Sequence, residues 1–369
     1  MPASRHIFLQ LSLVMAGVVL ITGCGGGGGS DSASATPALA PAPTPAATVP
    51  VPVAPPAVSA VKADPENASL VVAALDANYV AGIEEATTFQ LLNQERSRCG
   101  FGKLTQNAAL DKAALAHASW VNQNALVSHI ETKGTPGFTG EQVFDRVVAA
   151  GYANTTIDMA HEEGTVESGN AVAKTGVGTR GMRRLLSGPY HANGLLGSSR
   201  DVGVAAVLSD VGTTKWAGLW LKLSSTVNAG PQLIAGTDVV TYPCDGTTGT
   251  AFALTNETPN PVPGRDLLAK PLGQPVMVRL RDGHQLTIAS ARMTEVATGV
   301  EIPMRPPITS ANDPTSPCRV GCFQSNEGYV IPDVSLKATT AYRVAISGTN
   351  DGKAFSRTFT FTTGVSSNP

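Results

Sequence analysis

The stretch "LLNQERSRCGFGKLTQNAALDKAALAHASWVNQNALVSH", residues 91–129, predicts two successive helices. The first is expected to open at the capping-box pattern "TTFQ" at 87–90 and to end near Gly100. The second carries an apolar stripe at helical spacing, formed by Leu110, Ala114, His117 and Val121. Because His117 lies on this stripe, it is predicted to be a hydrogen-bonded core histidine.

Further helices and then strands follow this stretch. A second capping-box pattern, "TGEQ" at 139–142, predicts a helix that ends near Gly151, and another helix is expected over about 173–187. Residues 202–207 and 216–223 are apolar and partly alternating, as in strands. Helices followed by strands predict an α+β domain, with bounds of about 75–248.

In the C-terminal part, the spacing of apolar residues changes from a helical to a strand-like period. After the Pro-rich stretch "TPNPVPGRD" at 258–266, apolar residues alternate with polar ones around 276–280, 342–346 and 358–361. Turn signals at 282–283 and 350–352 separate these segments. This pattern predicts an all-β sandwich over 262–365. Its ending resembles the Ig-like or fibronectin-III-like modules of bacterial surface proteins, which implies a role in spacing or binding.

The first residues are typical of an export signal. Arg5 and His6 precede the apolar run 7–21, which ends in "ITGC" and resembles the lipobox of bacterial lipoproteins. We therefore expect a signal peptide over 1–23 and lipidation of Cys24, with an ordinary cleaved signal as the alternative. Residues 24–70 then read as a Pro/Gly/Ala-rich tether. Gly25 after the cysteine favours, by the same resemblance, the outer membrane of the cell envelope.

Composition and cysteine content narrow the class of protein. The net charge of −2 and a charged fraction of 15% argue against nucleic-acid binding, which needs a basic face. Apart from Cys24, four cysteines remain, an even number that suggests two disulfides in an exported protein. Of the three pairings, Cys318 with Cys322 would close a small loop and leave Cys99 with Cys244. Two free thiols are the alternative for the CxxxC pair.

Three segments in one order carry a family resemblance. They are 91–129, "FDRVVAAGY" at 144–152 and "SGPYHANGLLGSSRDVGV" at 187–204. Together they resemble the CAP superfamily, also called SCP/PR-1-like, and most of all its bacterial secreted branch, over about 85–225. The resemblance implies an α-β-α sandwich. It also implies a cleft with two histidines and two acidic residues, which holds a divalent metal in some members.

The family's cleft residues map onto this chain in part. His129 falls on the first histidine, and Glu163 or its neighbour Glu162 falls near the first acidic residue. The second histidine corresponds to His191 or, without a gap, to Tyr190. The second acidic residue has no counterpart, since no Asp or Glu occurs between 168 and 200. His191 has a further interpretation, as a residue near a helix C-terminus that stabilises the helix dipole.

The candidate site residues His129, Glu163 and His191 allow several functions. Two imidazoles and a carboxylate could hold a divalent metal such as zinc and activate water, which would make a peptidase-like hydrolase. A metal-free histidine and glutamate could transfer protons. No nucleophile motif such as G-x-S-x-G is present. We therefore favour an extracytoplasmic binding protein for a lipid, glycan or protein ligand, with a structural envelope protein as a third hypothesis.

Overall fold

The computed structural model describes residues 67–152, 157–169, 172–173, 175–211, 214–315 and 323–365. All of them belong to one compact unit that begins at residue 62. The predicted signal peptide, Cys24, the tether up to residue 66, Cys318 and Cys322 lie outside the described residues. Within the described ranges, no helix combines the length and the apolar character needed to cross a membrane.

The N-terminal domain, residues 84–226, is an α-β-α sandwich, as predicted. Its helices are α1 Glu84–Arg98, α2 Ala108–Asn124, α3 Val143–Ala150, α4 Val177–Ser187 and α5 Pro189–Leu195. Its strands are β1 Thr105–Gln106, β2 Ile157–Gly169, β3 Asp201–Val211 and β4 Thr214–Thr226. They form a sheet of order β1-β3-β4-β2, with β1 parallel to β3 and the other pairs antiparallel.

Strand β4 shows how the sheet separates two helical layers. Because side chains alternate along a strand, Leu219 and Leu221 pack in one core with α1, α4 and α5. Trp220, from the opposite face, packs against Trp120 and Val121 of α2. The apolar stripe predicted for α2 is confirmed, and it lies on this second face of the sheet.

Helix α1 begins at Glu84 with Ile83 as its N-cap, four residues before the predicted N-cap Thr87. Glu84 and Glu85 occupy its first turn, where their negative charge favours the positive end of the helix dipole. The Thr87 and Thr88 hydroxyls donate to carbonyls one turn earlier, at 3.1 and 2.7 Å, so these threonines lie inside the helix.

Helix α3 begins at Val143, with a capping box formed by Gln142 and Asp145 instead of the predicted pattern at 139–142. Thr139 has another partner, because its backbone N–H and its hydroxyl donate to the Glu131 carboxylate at 2.6 and 3.1 Å. The helix therefore starts three residues later than the sequence pattern indicates.

The C-terminal sandwich, residues 240–363, has two sheets of four and five strands. The strands are β5 Val240–Tyr242, β6 Thr248–Thr250, β7 Val276–Arg279, β8 Leu286–Glu295, β9 Glu301–Ile302, β10 Ile308–Thr309, β11 Glu327–Val330, β12 Ala341–Asn350 and β13 Lys353–Thr363. Their orders are β10-β11-β7-β5 and β6-β13-β12-β8-β9. Strands β5 and β6 pair with β7 and β13, although the sequence places 240–248 in the first domain.

Both faces of strand β7 are buried. Val276 and Val278 face the interior of the sandwich, as the alternation predicts. Met277 packs in a core that combines side chains of the N-terminal domain and of the sandwich, and Arg279 is buried as well. The face that alternation assigns to solvent is therefore covered, because this sheet packs against the N-terminal domain.

The predicted disulfide between Cys99 and Cys244 is present. Cys99 follows α1, and Cys244 lies between β5 and β6. Since β5 and β6 belong to the sandwich, the bond joins the two structural parts of the chain and does not staple the ends of a single domain.

Candidate functional site

Strand β2, at the edge of the N-terminal sheet, carries two adjacent glutamates on opposite faces. Glu162 lies directly opposite Lys222 of β4, on the face covered by α2 and α3. Glu163 points to the other face, where its carboxylate lies against Gly194 of α5: a Cβ at that glycine would be 1.9 Å from Glu163 Oε1. The period of two along a strand thus separates the two candidate acids.

His129 lies in the segment that follows α2, and its partner is Glu162 and not Glu163. Its Nδ1 is 3.0 Å from Glu162 Oε1, and its ring stands edge-on to Trp220, with the centroids 5.9 Å apart. Arg146 donates to the His129 carbonyl at 2.9 Å, so the backbone is held as well. The side chain remains 56% exposed. His129 is therefore a fixed imidazole at the surface.

His129 is hydrogen-bonded to a buried cluster of charged residues. Glu162 contacts Lys222 and accepts a hydrogen bond of 2.9 Å from Arg146. His117, fully buried as predicted, lies between Glu162 and Glu131, with nitrogen–oxygen distances of 3.1 and 2.9 Å. Burial and the charges of Lys222 and Arg146 lower the pKa of His117 well below its usual range. Burial also lowers the pKa of Lys222 well below its usual range, so Arg146 is the firmly charged cation of the cluster around His117.

His191 lies in the first turn of α5, at the opposite end of the helix from the one that the dipole interpretation requires. That interpretation is wrong, because Gly188 is the N-cap and Pro189 the first helical residue. A cation at this end is opposed by the helix dipole. Glu257 offsets this unfavourable interaction with the dipole. Its carboxylate is 2.8 Å from His191 Nδ1 and accepts the Tyr190 N–H at 2.9 Å.

Tyr190 packs against the sandwich. Of the two alternatives for the second family histidine, His191 is therefore the one retained as a candidate. The Tyr190 hydroxyl donates to Asp313 of the sandwich at 2.8 Å, and its ring stacks on Phe323 at 4.9 Å. The positive charge of His191, in contrast, is close enough to His129 to act on its titration. The structure thus links His129 and His191 through an electrostatic interaction, while their hydrogen bonds go to different carboxylates, Glu162 and Glu257.

The pKa values of His129 and His191 are shifted in opposite directions. Desolvation by neighbouring groups and the charges of His191 and Lys222 lower the pKa of His129, although its side chain is 56% exposed. Burial lowers the pKa of His191, but the Glu257 charge and hydrogen bond outweigh it and raise the pKa to about 9. Burial also raises the pKa of Glu163 to about 8, with His191 opposing this shift. At neutral pH, His129 is neutral, His191 is cationic and Glu163 is protonated.

The predicted metal ligands do not form a three-ligand site. Across the described ranges, no group of three or more His, Cys, Asp and Glu side chains is arranged to hold a metal ion. His129 is bound to Glu162, while Glu163 lies on the other face of β2 and His191 is bound to Glu257. Each imidazole is thus hydrogen-bonded through Nδ1 to a carboxylate of its own, Glu162 for His129 and Glu257 for His191.

Sequence reasoning missed two residues that build the site, Glu257 and Arg146, and left Glu162 and Glu163 as alternatives. A strand assignment for β2 would have separated Glu162 from Glu163 by its period of two. No sequence signal points to Glu257, because it lies in an irregular segment 66 residues after His191. Arg146 lies on α3 in a stretch that reads as an ordinary amphipathic helix, and nothing there indicates that its guanidinium is buried.

A separate groove lies between residues 74–81 and helix α1. It encloses about 630 Å³, within the range of small-molecule sites, and its lining includes Tyr79 and Phe89. Neither His129 nor His191 lines this groove. The histidine site and the groove are therefore two distinct surface features.

Comparison with known proteins agrees with the resemblance seen in the sequence. Residues 89–220 match the model of CAP, the cysteine-rich secretory protein family. This segment contains His129, Glu162, Glu163 and His191, whereas Glu257 lies outside it. Among solved structures, an outer surface protein from Borrelia burgdorferi matches with a TM-score of 0.31 and 12% identity, over 41% of this chain and 99% of that chain. No curated protein matches the chain.

Proposed function

We propose that this chain is an exported, lipid-anchored protein that binds a ligand of the cell envelope at the surface around His129 and His191. The observation that carries the proposal is the fixing of both imidazoles through Nδ1, to Glu162 and Glu257 respectively. No described residue is hydrogen-bonded to either Nε2. Each ring is thus oriented in advance to meet a polar group of a ligand, in the way that carboxylates orient histidines in other sites.

The surroundings of His129 suit a ligand with both polar and apolar parts. Leu126, Val127 and Ile130 flank it in sequence and are 46%, 56% and 50% exposed. Exposed apolar side chains next to oriented polar groups are typical of interaction sites. Among the described residues, no Ser, Thr or Cys side chain is hydrogen-bonded to either imidazole, so the contacts that are present favour binding over nucleophilic catalysis.

Two observations support export and anchoring. The lipobox-like "ITGC" ends at Cys24, and the Gly/Pro-rich tether follows it. The Cys99–Cys244 disulfide fits an oxidising compartment outside the cytoplasm. We infer an anchor in the outer membrane by acyl chains on Cys24. A Cys24→Ala variant is expected to leave the membrane fraction, and a variant that still sediments with membranes would contradict the anchor.

The ligand class can be tested with the full chain made soluble by Cys24→Ser. The probes are purified peptidoglycan, vesicles of envelope phospholipids and detergent-solubilised envelope proteins, each with His129→Ala, His191→Ala and the control His284→Ala. Loss of one hydrogen bond to a charged group costs about 1.5–3 kcal/mol, so affinity for the bound class should fall roughly 10- to 100-fold in the first two variants. Equal retention by all variants would refute the site.

The same protein separates this proposal from the alternative of a metal-dependent hydrolase. Zinc titration with and without His129→Ala tests whether the site holds a metal despite the separation of Glu163. Zinc binding at micromolar concentration that is lost in the variant would favour the hydrolase. Retention by none of the three probes would favour a structural envelope protein.

A further inference from the structure

Helix α5 carries three polar side chains, and each is bound to a carboxylate that lies outside the N-terminal domain. The pairs are Tyr190 Oη with Asp313 Oδ1 at 2.8 Å, His191 Nδ1 with Glu257 Oε2 at 2.8 Å, and Asn193 Nδ2 with Glu327 Oε2 at 2.9 Å. The apolar side of α5, in contrast, packs in the core of the N-terminal domain through Ala192 and Leu195. The helix therefore lies between the two structural parts and is bound by both.

Glu257 does more than pair with the His191 ring. Its side chain is only 2% exposed, and Oε1 also accepts the Tyr190 N–H, one of the amides left without a partner at the start of a helix. A Cβ at Gly188 would lie 1.9 Å from Glu257 Oε2. The carboxylate can therefore approach this helix end only because the N-cap residue is a glycine.

The sandwich holds the other two acids in place. Glu327 of β11 is 2.9 Å from the guanidinium of Arg279 on β7, which is itself buried. Asp313 accepts the Phe323 N–H at 3.0 Å and the Thr315 hydroxyl at 2.8 Å. The positions of both carboxylates thus follow from the C-terminal sandwich and not from the helix that they bind.

We propose that the C-terminal part of the chain completes the candidate binding site, with Glu257, Asp313 and Glu327 as positioning residues that hold α5 and fix the orientation of the His191 ring. The inference rests on the proposed function for the importance of His191, but its test needs no ligand. The sandwich is in this view a part of the site, and it is not a spacer that could be exchanged.

Four groups determine the titration of His191, and the test must separate them. Glu257 favours the cation, as does Glu163 where it is ionised, whereas Arg184 of α4 opposes it and His129 interacts with it electrostatically. Replacing Glu257 by Gln keeps the size and removes the charge, so the remaining groups would no longer hold the proton against burial. The pKa of His191 is then expected to fall by at least about one unit, since a charge in contact shifts a pKa by 1–3 units.

The experiment is an NMR titration of the histidine ring protons in the full chain with Cys24→Ser, in which His191→Ala assigns the resonance. Glu257→Gln is compared with Glu301→Gln, an exposed glutamate on β9 that is 58% exposed. A fall in the His191 pKa with Glu257→Gln alone supports the proposal. An unchanged pKa in folded Glu257→Gln protein would overturn it.

A second measurement covers the case in which Glu257→Gln does not fold. Tyr190→Phe and Asn193→Ala remove the other two links from the side of the helix and leave every carboxylate in place. Hydrogen exchange of the α5 amides should then become at least about tenfold faster, while that of α2 stays the same. Unchanged exchange in α5 would show that the sandwich does not hold the helix. The titration and the hydrogen exchange can show the expected changes even if none of the ligand probes binds. The two proposals can therefore be refuted independently.

Discussion

Replacement of Arg146 by methionine tests whether the buried cluster holds the His129 segment. The Arg146 side chain is completely buried and makes four hydrogen bonds. Two go to the carbonyls of Gly140 and Glu141, at 3.1 and 2.9 Å, one to the carbonyl of His129 and one to Glu162, both at 2.9 Å. A methionine fills nearly the same volume but donates to none of these acceptors.

The expected loss of stability follows from these contacts. Removing one partner of a buried ion pair costs about 3–5 kcal/mol, because the other charge is left uncompensated. Lys222 still contacts Glu162 in the variant, which reduces this cost. The buried carbonyl of Gly140 also loses a donor, which costs roughly 1–3 kcal/mol, whereas the carbonyls of Glu141 and His129 are only partly buried and can be hydrated. We therefore expect Arg146→Met to lower the free energy of unfolding by about 3–5 kcal/mol, a large part of the 5–15 kcal/mol typical of folded proteins.

The assay is urea unfolding at pH 7, followed by fluorescence and with the disulfide intact. The matched control is Arg292→Met, because Arg292 is 76% exposed and 3.5 Å from Glu301. An exposed ion pair contributes about 0–1 kcal/mol, so the control should stay close to the wild type. If Arg146→Met and Arg292→Met differ by less than about 1 kcal/mol, the cluster does not stabilise this segment and the reasoning is wrong.

Three further predictions concern the covalent link, the titration of the site and the packing of the sheet. Removing the disulfide with Cys99→Ser and Cys244→Ser should cost about 2–5 kcal/mol in thermal or urea unfolding, and an unchanged midpoint would show that the bond adds nothing. The pKa of His191 is about 9 in the folded state and 6.5 in the unfolded chain. The stability contributed by its protonation is therefore complete below pH 6.5 and is lost as the pH rises to 9. Glu163, with its pKa raised from 4.5 to about 8, also makes stability fall as pH rises through that window. The urea midpoint should therefore decrease from pH 6.5 to 9, and an equal decrease in His191→Ala protein would count against this assignment. Gly203→Ala should cost at least about 1–3 kcal/mol, because its Cβ would come within 2.0 Å of the backbone of α2; a variant as stable as the wild type would contradict that close approach.

Local sequence patterns predicted most of the regular elements. The stripe through Leu110 and Val121 marked α2, and the apolar alternation marked β3, β4 and β12, because these signals depend on residues near each other in the chain. The starts of α1 and α3 were displaced by four and three residues. In α3 the reason is a contact outside the helix, since the Glu131 carboxylate takes the hydrogen bonds of Thr139.

Pairing across the chain was the part that the sequence did not reveal. The candidates His129 and His191 were identified by their resemblance to family positions, but their partners were assigned to the wrong acid or to none. Glu162 and Glu163 differ by one position, and only the orientation of an edge strand decides which of them meets His129. Arg279 reads as a surface residue of an alternating strand until the N-terminal domain covers it.

The sequence by itself determined the α+β character of the first part, the β-sandwich pattern of the second and the buried stripe of α2, since periodicity and motifs are local properties of the chain. The tertiary structure alone decided that the Cys99–Cys244 bond joins the two parts and that Glu257 meets His191. Such contacts depend on how separate segments pack, and a carboxylate in an irregular segment carries no periodic signal. The physical reason is that burial and distance, which set both the hydrogen bonds and the titration of these groups, exist only once the chain has folded.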